Sequence, residues 1–493
     1  MMAFDTIVKG GMIVTAADRY IADIGIKDGR ITALAAELSG ADELIDASGL
    51  LVLPGGIDSH VHLSQPSSDA SVMADDFESG TRSAAAGGTT TVLAFALQKK
   101  GQSLREAVAE YHAQADGKCH VDVSFHLIIS DPTPQVLGQE LPALIEAGYS
   151  SFKVFMTYDD LVLNDRQLLE VFAVAGAHGA TVMVHAEGYD AIRFLSEKLE
   201  REGHVAPYYH ALSRPEIVER EATHRAISHA EITGIPIVIV HVSGREALEQ
   251  IRWARARGLK VSAETCPQYI TLTADDLRDL NMGFEGAKYV CSPPPRDAES
   301  QAAIWQGLVD GTLELFSSDH CPFFFQDEDG RGKDTPKART SFRWVPNGIP
   351  GVETRLAILF SEGVSKGRIS LEKFVALTAT NHARTYGLYP RKGTIAVGSD
   401  ADLVLWDPNR KETIRQETLH HGSDYTPWEG FEVTGWPIAT MLRGSVVMEN
   451  GQVLNRPGNG HYLTRYTSSA QATANVDWSK ALSADTNQSS ITG

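Results

Sequence analysis

Between residues 54 and 385, short apolar runs rich in β-branched residues alternate with longer stretches in which apolar residues recur at helical spacing. This alternation predicts strands that each lead into a helix, the pattern of a parallel α/β barrel. The predicted strands are Gly55–His62, Thr89–Leu97, Val121–Ser130, Ser150–Met156, Thr181–Glu187, Pro236–Ser243, Lys260–Pro267 and Leu315–His320. Predicted helices between them include Leu104–Gln114, Arg166–His178 and Glu246–Arg257. Eight strands are what a closed (β/α)8 barrel of the TIM type requires, with a doubly wound open α/β sheet as the alternative.

Both ends of the chain have a different pattern, with short strand-like segments and turns instead of helical periodicity. Asp28-Gly29, between two apolar segments, indicates a hairpin. Similar short apolar segments return beyond residue 393. The sequence therefore predicts a second, smaller β-sandwich domain built from both chain ends. The predicted division is 1–53 with 386–466 for the sandwich, 54–385 for the barrel and 467–493 for a polar C-terminal tail.

Metal-binding residue types stand where several predicted barrel strands end. His60 and His62 lie two apart on the first strand, so their side chains share one face and can point together into the barrel mouth. His185, His241 and Asp319 stand at the ends of the fifth, sixth and eighth strands. Active sites of such barrels lie at this carboxyl end, and neutral imidazoles suit zinc and similar ions. One H-x-H pair is a weak signal, but four such strand ends together predict a metal site.

Lys153 is the polar exception in an otherwise apolar strand. A protonated lysine is costly to bury, so burial favours the neutral amine. A neutral amine reacts with CO2 to give a carbamate, an anion whose two oxygens can bridge two metal ions. The alternative is a lysine that snorkels out of the barrel or pairs with a carboxylate. Beside four histidines and an aspartate, the carbamate is the favoured interpretation.

The order of these residues resembles the binuclear amidohydrolase superfamily and, within it, the dihydropyrimidinases and bacterial D-hydantoinases. The resemblance extends from about residue 4 to 465. The stretches that carry it most specifically are Pro54-Gly55-Gly56-Ile57-Asp58, Tyr209-His210-Ala211-Leu212-Ser213-Arg214-Pro215, Glu264-Thr265-Cys266-Pro267-Gln268-Tyr269, Ser292-Pro293-Pro294, Asp319-His320-Cys321-Pro322-Phe323 and Pro346-Asn347-Gly348-Ile349-Pro350-Gly351-Val352-Glu353.

The resemblance implies two zinc ions, bridged by a hydroxide and by Lys153 carboxylated with CO2 (N6-carboxylysine). The implied ligands are His60, His62 and Asp319 for one ion, His185 and His241 for the other, and Lys153 for both. Bound metal lowers the pKa of water and so supplies a nucleophile near neutral pH.

The resemblance also implies roles around the scissile ring amide. Asp319 would act as general base and then as general acid. The hydroxyl of Tyr158 would polarise the ring carbonyl, although a loop aromatic packed on the barrel rim is the alternative. Ser292 and Asn347 would hold the cyclic imide or ureide through backbone groups; from the residues alone both only mark turns.

The implied enzyme opens dihydrouracil, dihydrothymine or 5-substituted hydantoins to N-carbamoyl amino acids. An allantoinase or a cyclic imide hydrolase is the alternative, since the loop after His62, with Ser64 and Gln65, is more polar than in dihydropyrimidinases. Dihydroorotase is disfavoured because Ser64 occupies the position where its relatives carry an arginine. A non-catalytic tetrameric adaptor of the same fold is disfavoured because all six ligand positions are intact. The relatives imply a homotetramer.

Composition narrows the remaining classes. Lys and Arg total 44 against 63 Asp and Glu, giving a net charge of −19, which disfavours nucleic acid and anionic membranes as partners. The N-terminus lacks a secretory pattern, and no apolar run approaches the ~20 residues of a membrane span. Four cysteines without a C-x-x-C pair fit reduced thiols, so we expect a cytoplasmic enzyme.

Overall fold

The computed structural model describes residues 3–66, 71–278 and 283–466. Seven strands precede the barrel: β1 Phe4–Lys9, β2 Met12–Val14, β3 Arg19–Ile21, β4 Asp23–Lys27, β5 Arg30–Ala35, β6 Ala41–Asp46 and β7 Leu51–Pro54. The barrel strands are β8 Gly56–Val61, β9 Thr89–Leu97, β10 Asp122–Ile128, β11 Ser151–Phe155, β12 Thr181–His185, β13 Ile237–Ile239, β14 Val261–Thr265 and β15 Leu315–Phe316. Four strands follow: β16 Leu403–Thr413, β17 Glu432–Leu442, β18 Ser445–Glu449 and β19 Gln452–Val453.

Helices occupy the intervals between the barrel strands and the stretch that follows β15. The α-helices are α1 Phe77–Ala86, α2 Leu104–Ala115, α3 Leu141–Glu146, α4 Asp165–Ala177, α5 Tyr189–Arg201, α6 Tyr208–Leu212, α7 Glu216–Thr233, α8 Arg245–Ala256, α9 Gln268–Thr271, α10 Ala298–Asp310, α11 Arg355–Leu359, α12 Leu371–Val375 and α13 Asn381–Thr385. Short 3-10 segments are Ala274–Leu277, Glu285–Tyr289, Ala338–Thr340, Phe342–Trp344 and Gln416–Thr418, and π-helical turns are Val136–Glu140, Phe360–Ser365 and Ala376–Thr380. None of the described helices has the length and apolar composition needed to cross a bilayer.

The central sheet is the predicted barrel. Strands β8 to β15 lie side by side in chain order and are all parallel. A parallel bridge between Val61 and His320 joins the two edges, and the His62 N–H donates to the His320 carbonyl at 2.7 Å. The barrel prediction is therefore confirmed, and the open-sheet alternative is wrong. Strands β10 and β11 are buried along their whole length, as expected for parallel strands covered by helices.

Helix starts follow local capping chemistry. Helix α2 begins after Ser103, whose side chain accepts from the backbone while Glu106 bonds back to it. Asn164 and Gln167 form the same capping box at the start of α4. The three helices predicted from periodicity match α2, α4 and α8 to within one residue at each end.

Strands from both chain ends share one sheet. Strand β7 pairs antiparallel with β16, in a seven-stranded sheet of order β19-β18-β17-β16-β7-β2-β3. The other sheet has the order β5-β4-β1-β6. Its β4–β5 hairpin turns at Asp28 and Gly29, with φ of 51° and 75°, which confirms the predicted hairpin. Buried residues of both sheets form one apolar cluster that is separate from the barrel core. The boundaries at 53/54 and 385/386 stay predictions, and the predicted tail lies outside the described residues.

Candidate active site

The carboxyl ends of the barrel strands open onto a cavity of about 280 Å³. Each residue reaches it from a predicted position: His60 from β8, Lys153 from the middle of β11 and His185 from the end of β12. His241 and Asp319 follow β13 and β15 by two and three residues. All nine residues singled out from the sequence line this one cavity, namely His60, His62, Lys153, Tyr158, His185, His241, Ser292, Asp319 and Asn347.

One group of donors converges on Asp319. Its Oδ1 lies 3.2 Å from His60 Nε2 and 3.5 Å from His62 Nε2. One ligand atom from each of these three buried residues lies within 4.8 Å of the others. Such a spacing lets two imidazoles and a carboxylate coordinate one divalent cation.

A second group lies against the first. The rings of His185 and His241 have centroids 4.4 Å apart, and His241 lies 5.3 Å from His60. His185 Nε2 is 2.7 Å from Glu187 Oε2, which leaves Nδ1 of that ring as its remaining ligand atom. Nδ1 of His241 is buried and has no hydrogen-bond partner among the described residues. These two imidazoles therefore also fit a metal ion.

Lys153 stands between the two groups. The side chain is 0% exposed, and Nζ lies 3.3 Å from His60 Nε2 and 5.0 Å from the ring centroid of Phe95. Burial lowers the pKa of Lys153 to about 8, although Asp319 and Glu264 act in the opposite direction. Within the described part of the chain, Lys153 forms no ion pair with a carboxylate. The snorkelling alternative is therefore wrong, and the amine is partly neutral near physiological pH.

The protonation states around Lys153 suit cation binding. Burial lowers the pKa of His60 and His241 well below the usual range, and it lowers the pKa of His185 as well. These rings are therefore neutral and keep a lone pair. Burial acts to raise the pKa of Asp319, but the neighbouring His60 and His62 outweigh it and hold that pKa below its usual value. Asp319 is therefore ionised.

Tyr158 follows β11 on a loop and lies half-buried at the cavity wall. Its ring centroid lies 5.3 Å from that of His185, and the Arg214 guanidinium stands 5.6 Å from the Tyr158 ring centroid. Burial raises the pKa of Tyr158 above its usual value despite the opposing charge of Arg214, so the phenol keeps its proton as a donor. Tyr158 therefore lines the cavity, and its role as a donor to the ring carbonyl stays a prediction.

Three cavity residues have backbone conformations that side chains other than glycine rarely adopt. Their φ angles are 72° at Tyr158, 40° at His241 and 51° at Asp319. Left-handed conformations at non-glycine residues cost free energy, and they cluster at functional sites because the surrounding structure holds them. Strain at three lining residues therefore supports this cavity as the candidate functional site.

Ser292 and Asn347 line the same cavity from the loops after β14 and β15. Ser292 Oγ lies 3.3 Å from His210 Nε2. The Asn347 side-chain oxygen is buried without a hydrogen-bond partner among the described residues. Phe323, four residues after Asp319, also lines the cavity.

Sequence reasoning assigned no role to the residues that orient these imidazoles. His60 Nδ1 lies 2.6 Å from Glu264 Oε1 on β14, so Nε2 faces the cavity. Arg214 lies 2.8 Å from Glu187, the partner of His185. Burial acts to raise the pKa of Glu187, but Arg214 and His185 outweigh it and lower it to about 2. A carboxylate behind a ligand histidine fixes its tautomer and orientation. Strand periodicity could have found Glu187, which lies two residues beyond His185.

A closed parallel barrel with buried imidazoles, a carboxylate and a buried lysine of lowered pKa at the mouth of its strands is typical of the metal-dependent barrel hydrolases. Comparison with known proteins agrees. The model of the amidohydrolase family matches residues 51–447.

Similarity to individual proteins extends over nearly the whole chain. A D-hydantoinase of Rhizobium radiobacter is 46% identical, covering 94% of this chain and 99% of the relative. A D-hydantoinase of Geobacillus stearothermophilus is 48% identical, covering 93% and 96%. The crystal structure of a dihydropyrimidinase from Brevibacillus agri is 43% identical, with a TM-score of 0.90 and coverage of 94% and 99%. The chain therefore belongs to the amidohydrolase family, in its hydantoinase and dihydropyrimidinase branch, and is a cyclic amidohydrolase.

Proposed function

We propose that the protein opens the ring of dihydropyrimidines or 5-monosubstituted hydantoins by hydrolysing a ring amide, which yields N-carbamoyl amino acids. The observation that carries this proposal is the single cavity lined by all nine predicted residues, with two donor groups around buried Lys153. Relatives named D-hydantoinase and dihydropyrimidinase support the choice of ring.

The donor set fits two divalent ions, which we propose are zinc. The residues that would hold them are His60, His62 and Asp319 for one, His185 and His241 for the other, and Lys153, carboxylated by CO2, for both. Buried ligand atoms without partners and a buried lysine without a carboxylate support this fit, because both are costly when nothing binds there. When bound, such ions lower the pKa of water and polarise a carbonyl group.

Residues of the chain transfer the proton, polarise the ring carbonyl and hold the substrate. Asp319, ionised and facing the cavity, accepts a proton from the attacking water and delivers it to the leaving ring nitrogen. The protonated Tyr158 hydroxyl donates to the oxygen of the ring carbonyl as negative charge develops on it. Backbone groups of Ser292 and Asn347 hold the cyclic amide in place.

The remaining wall of the cavity gives room for a ring substituent. It is largely apolar, with Leu97, Phe155 and Phe323, but Gln65 and Ser71 add polar groups on one side. A cavity of about 280 Å³ matches one small ring and a modest substituent. Mixed polarity on the substituent side keeps allantoin and cyclic imides as the second choice of substrate.

The test is ring opening by the full chain, produced with zinc and bicarbonate and checked for metal content. Dihydrouracil, 5-monosubstituted hydantoins, allantoin and succinimide are compared by kcat/KM, with the Asp319→Asn variant as the control for contaminating activity. Faster turnover of dihydrouracil assigns a dihydropyrimidinase, and a preference for bulky hydantoins assigns a hydantoinase. Opening of allantoin or succinimide alone would replace the proposed substrates, and no turnover at full metal loading would contradict the proposal.

We further propose that the chain forms a homotetramer and acts in the cytoplasm. The resemblance to dihydropyrimidinases implies the tetramer, and four cysteines without a C-x-x-C pair fit a reducing compartment. Light scattering on the purified, metal-loaded protein measures the assembly, and a mass of one or two chains would contradict a tetramer.

A further inference from the structure

Buried side chains hold the backbone on both sides of Ser292. Three donors reach the carbonyl oxygens of its neighbours, and all three side chains are buried. The pairs are Lys333 Nζ to Val290 O at 2.7 Å, His210 Nε2 to Cys291 O at 2.9 Å and Tyr269 Oη to Pro293 O at 2.8 Å. The Ser292 carbonyl, in contrast, accepts no hydrogen bond from the described residues. The backbone is therefore fixed on both sides of Ser292, whose carbonyl keeps its acceptor capacity for a ligand.

The Val290 carbonyl also joins this segment to the segment that carries Asn347. It accepts a second hydrogen bond, of 3.1 Å, from the backbone N–H of Gly348, which directly follows Asn347. Gly348 itself is confined, because a Cβ there would stand 2.4 Å from the Cys321 carbonyl oxygen. The two donors on Val290 therefore set the spacing between the Ser292 and Asn347 segments.

Lys333 is held rigidly in this position. Its backbone N–H donates to the Phe324 carbonyl at 2.8 Å, and the following residue, Asp334, donates to Phe325 at 2.9 Å. The side chain is 0% exposed, and the titratable groups that face it are the thiols of Cys291 and Cys321. Burial lowers the pKa of Lys333 to about 7. Among the described residues Lys333 forms no ion pair with a carboxylate; such burial costs stability, so folding alone does not explain it, and departures of this kind concentrate at functional sites.

We propose that Lys333 is a positioning residue for substrate: its Nζ holds the Val290 carbonyl, to which the Gly348 N–H also bonds, and thereby fixes the Ser292 segment relative to the Asn347 segment. The inference rests on the proposed function, in which those two segments bind the ring. Lys333 makes no contact with the reacting atoms and acts through the backbone of Val290.

The test compares Lys333→Met with the wild type in the metal-loaded enzyme, on the best substrate of the panel. Methionine keeps the length of the side chain but removes the donor. We expect KM to rise about tenfold while kcat changes by less than about threefold, because the two ring-holding segments lose their fixed spacing while the reacting groups stay in place. Lys333→Gln, which restores an N–H donor, is expected to recover part of the loss.

Lys392→Met is the matched control, because Lys392 is also buried but stands among carboxylates near Asp122, at the amino end of β10. We expect this control to lower the melting temperature without raising KM. An unchanged KM in folded, metal-loaded Lys333→Met would overturn the inference. Failure of both Lys333 variants to fold would overturn it as well, since the residue would then serve folding. Absence of ring opening in the wild type would instead count against the proposed function.

Discussion

Lys153 and Lys392 are both buried, but they lie at opposite ends of the barrel and have opposite surroundings. Lys392 Nζ lies 2.6 Å from carboxylates of both Asp122 and Asp402. Burial alone would lower its pKa, but the carboxylates outweigh burial and raise it above the usual value. Lys153 faces aromatic rings and His60, and burial lowers its pKa to about 8. The neighbours of a buried lysine, more than burial itself, decide whether it is a structural cation or a reactive amine.

Replacing the cavity lysine should have the largest effect on ring opening. We expect Lys153→Ala to reduce activity to the uncatalysed background and to lower the zinc content, because both metal ions would lose their shared ligand. Activity and metal content per chain are measured on the same preparation. Near-wild-type turnover with two bound metal ions in this variant would contradict the carbamate assignment.

The next largest effect is expected at Tyr158, the donor towards the ring carbonyl. Tyr158→Phe keeps the half-buried ring but removes the hydroxyl, and we expect kcat to fall by about 10²- to 10³-fold with zinc content unchanged. Steady-state kinetics with parallel metal analysis provide the measurement. A loss of zinc together with activity would mean that the hydroxyl supports the metal site rather than the developing charge.

A smaller effect is expected from replacing a carboxylate that contacts a ligand histidine on its side away from the cavity. Glu264→Gln weakens the contact with His60 Nδ1, and we expect zinc affinity to fall about 10- to 100-fold. Glu353→Gln is a matched control, because Glu353 Oε1 lies 2.8 Å from Nδ1 of His420, a histidine that does not line the cavity. Competition with a chelator measures both affinities. Equal zinc affinities of the two variants would show that the carboxylate behind His60 contributes no more to zinc binding than a carboxylate away from the cavity.

Replacing Lys392, the buried lysine paired with carboxylates, should have the smallest effect on ring opening. We expect Lys392→Met to cost about 3–5 kcal/mol of stability, because buried carboxylates lose their cation, with kcat and zinc content unchanged in the folded enzyme. Denaturant unfolding at several pH values is the measurement.

The pH dependence has a definite sign. Because the folded pKa of Lys392 is raised, its stabilisation is fully present below the unfolded pKa of about 10.4 and is lost as pH rises through the folded value. The difference in unfolding free energy between wild type and Lys392→Met should therefore stay constant from about pH 7 to 10 and shrink only at higher pH. A difference in unfolding free energy that shrinks between about pH 7 and 9 would show that a group other than Lys392 causes the stabilisation.

How well each part of the fold and of the site could be predicted depended on how far apart in the chain the interacting residues lie. Strand periodicity and capping signals are local, so the eight barrel strands and helix α4 could be predicted from neighbouring residues. The histidine and aspartate ligands could be predicted because they stand at or just beyond the carboxyl ends of four apolar strands, and parallel strands bring those ends together. The contact of Glu264 could not be predicted because its partner, His60, lies 204 residues away in the chain. The role of Lys333 could not be predicted for the same reason, since nothing near it in the sequence indicates a contact with Val290.

The most direct test of the central claim, that buried Lys153 is the carboxylated bridge of a two-metal site, is isotope labelling. The metal-free protein is reconstituted with zinc and 13C-bicarbonate and followed by 13C NMR and metal analysis. A single carbamate signal that appears with two zinc ions per chain and is absent from Lys153→Ala is the predicted result. Two bound zinc ions and full ring-opening activity without any carbamate signal would contradict the claim.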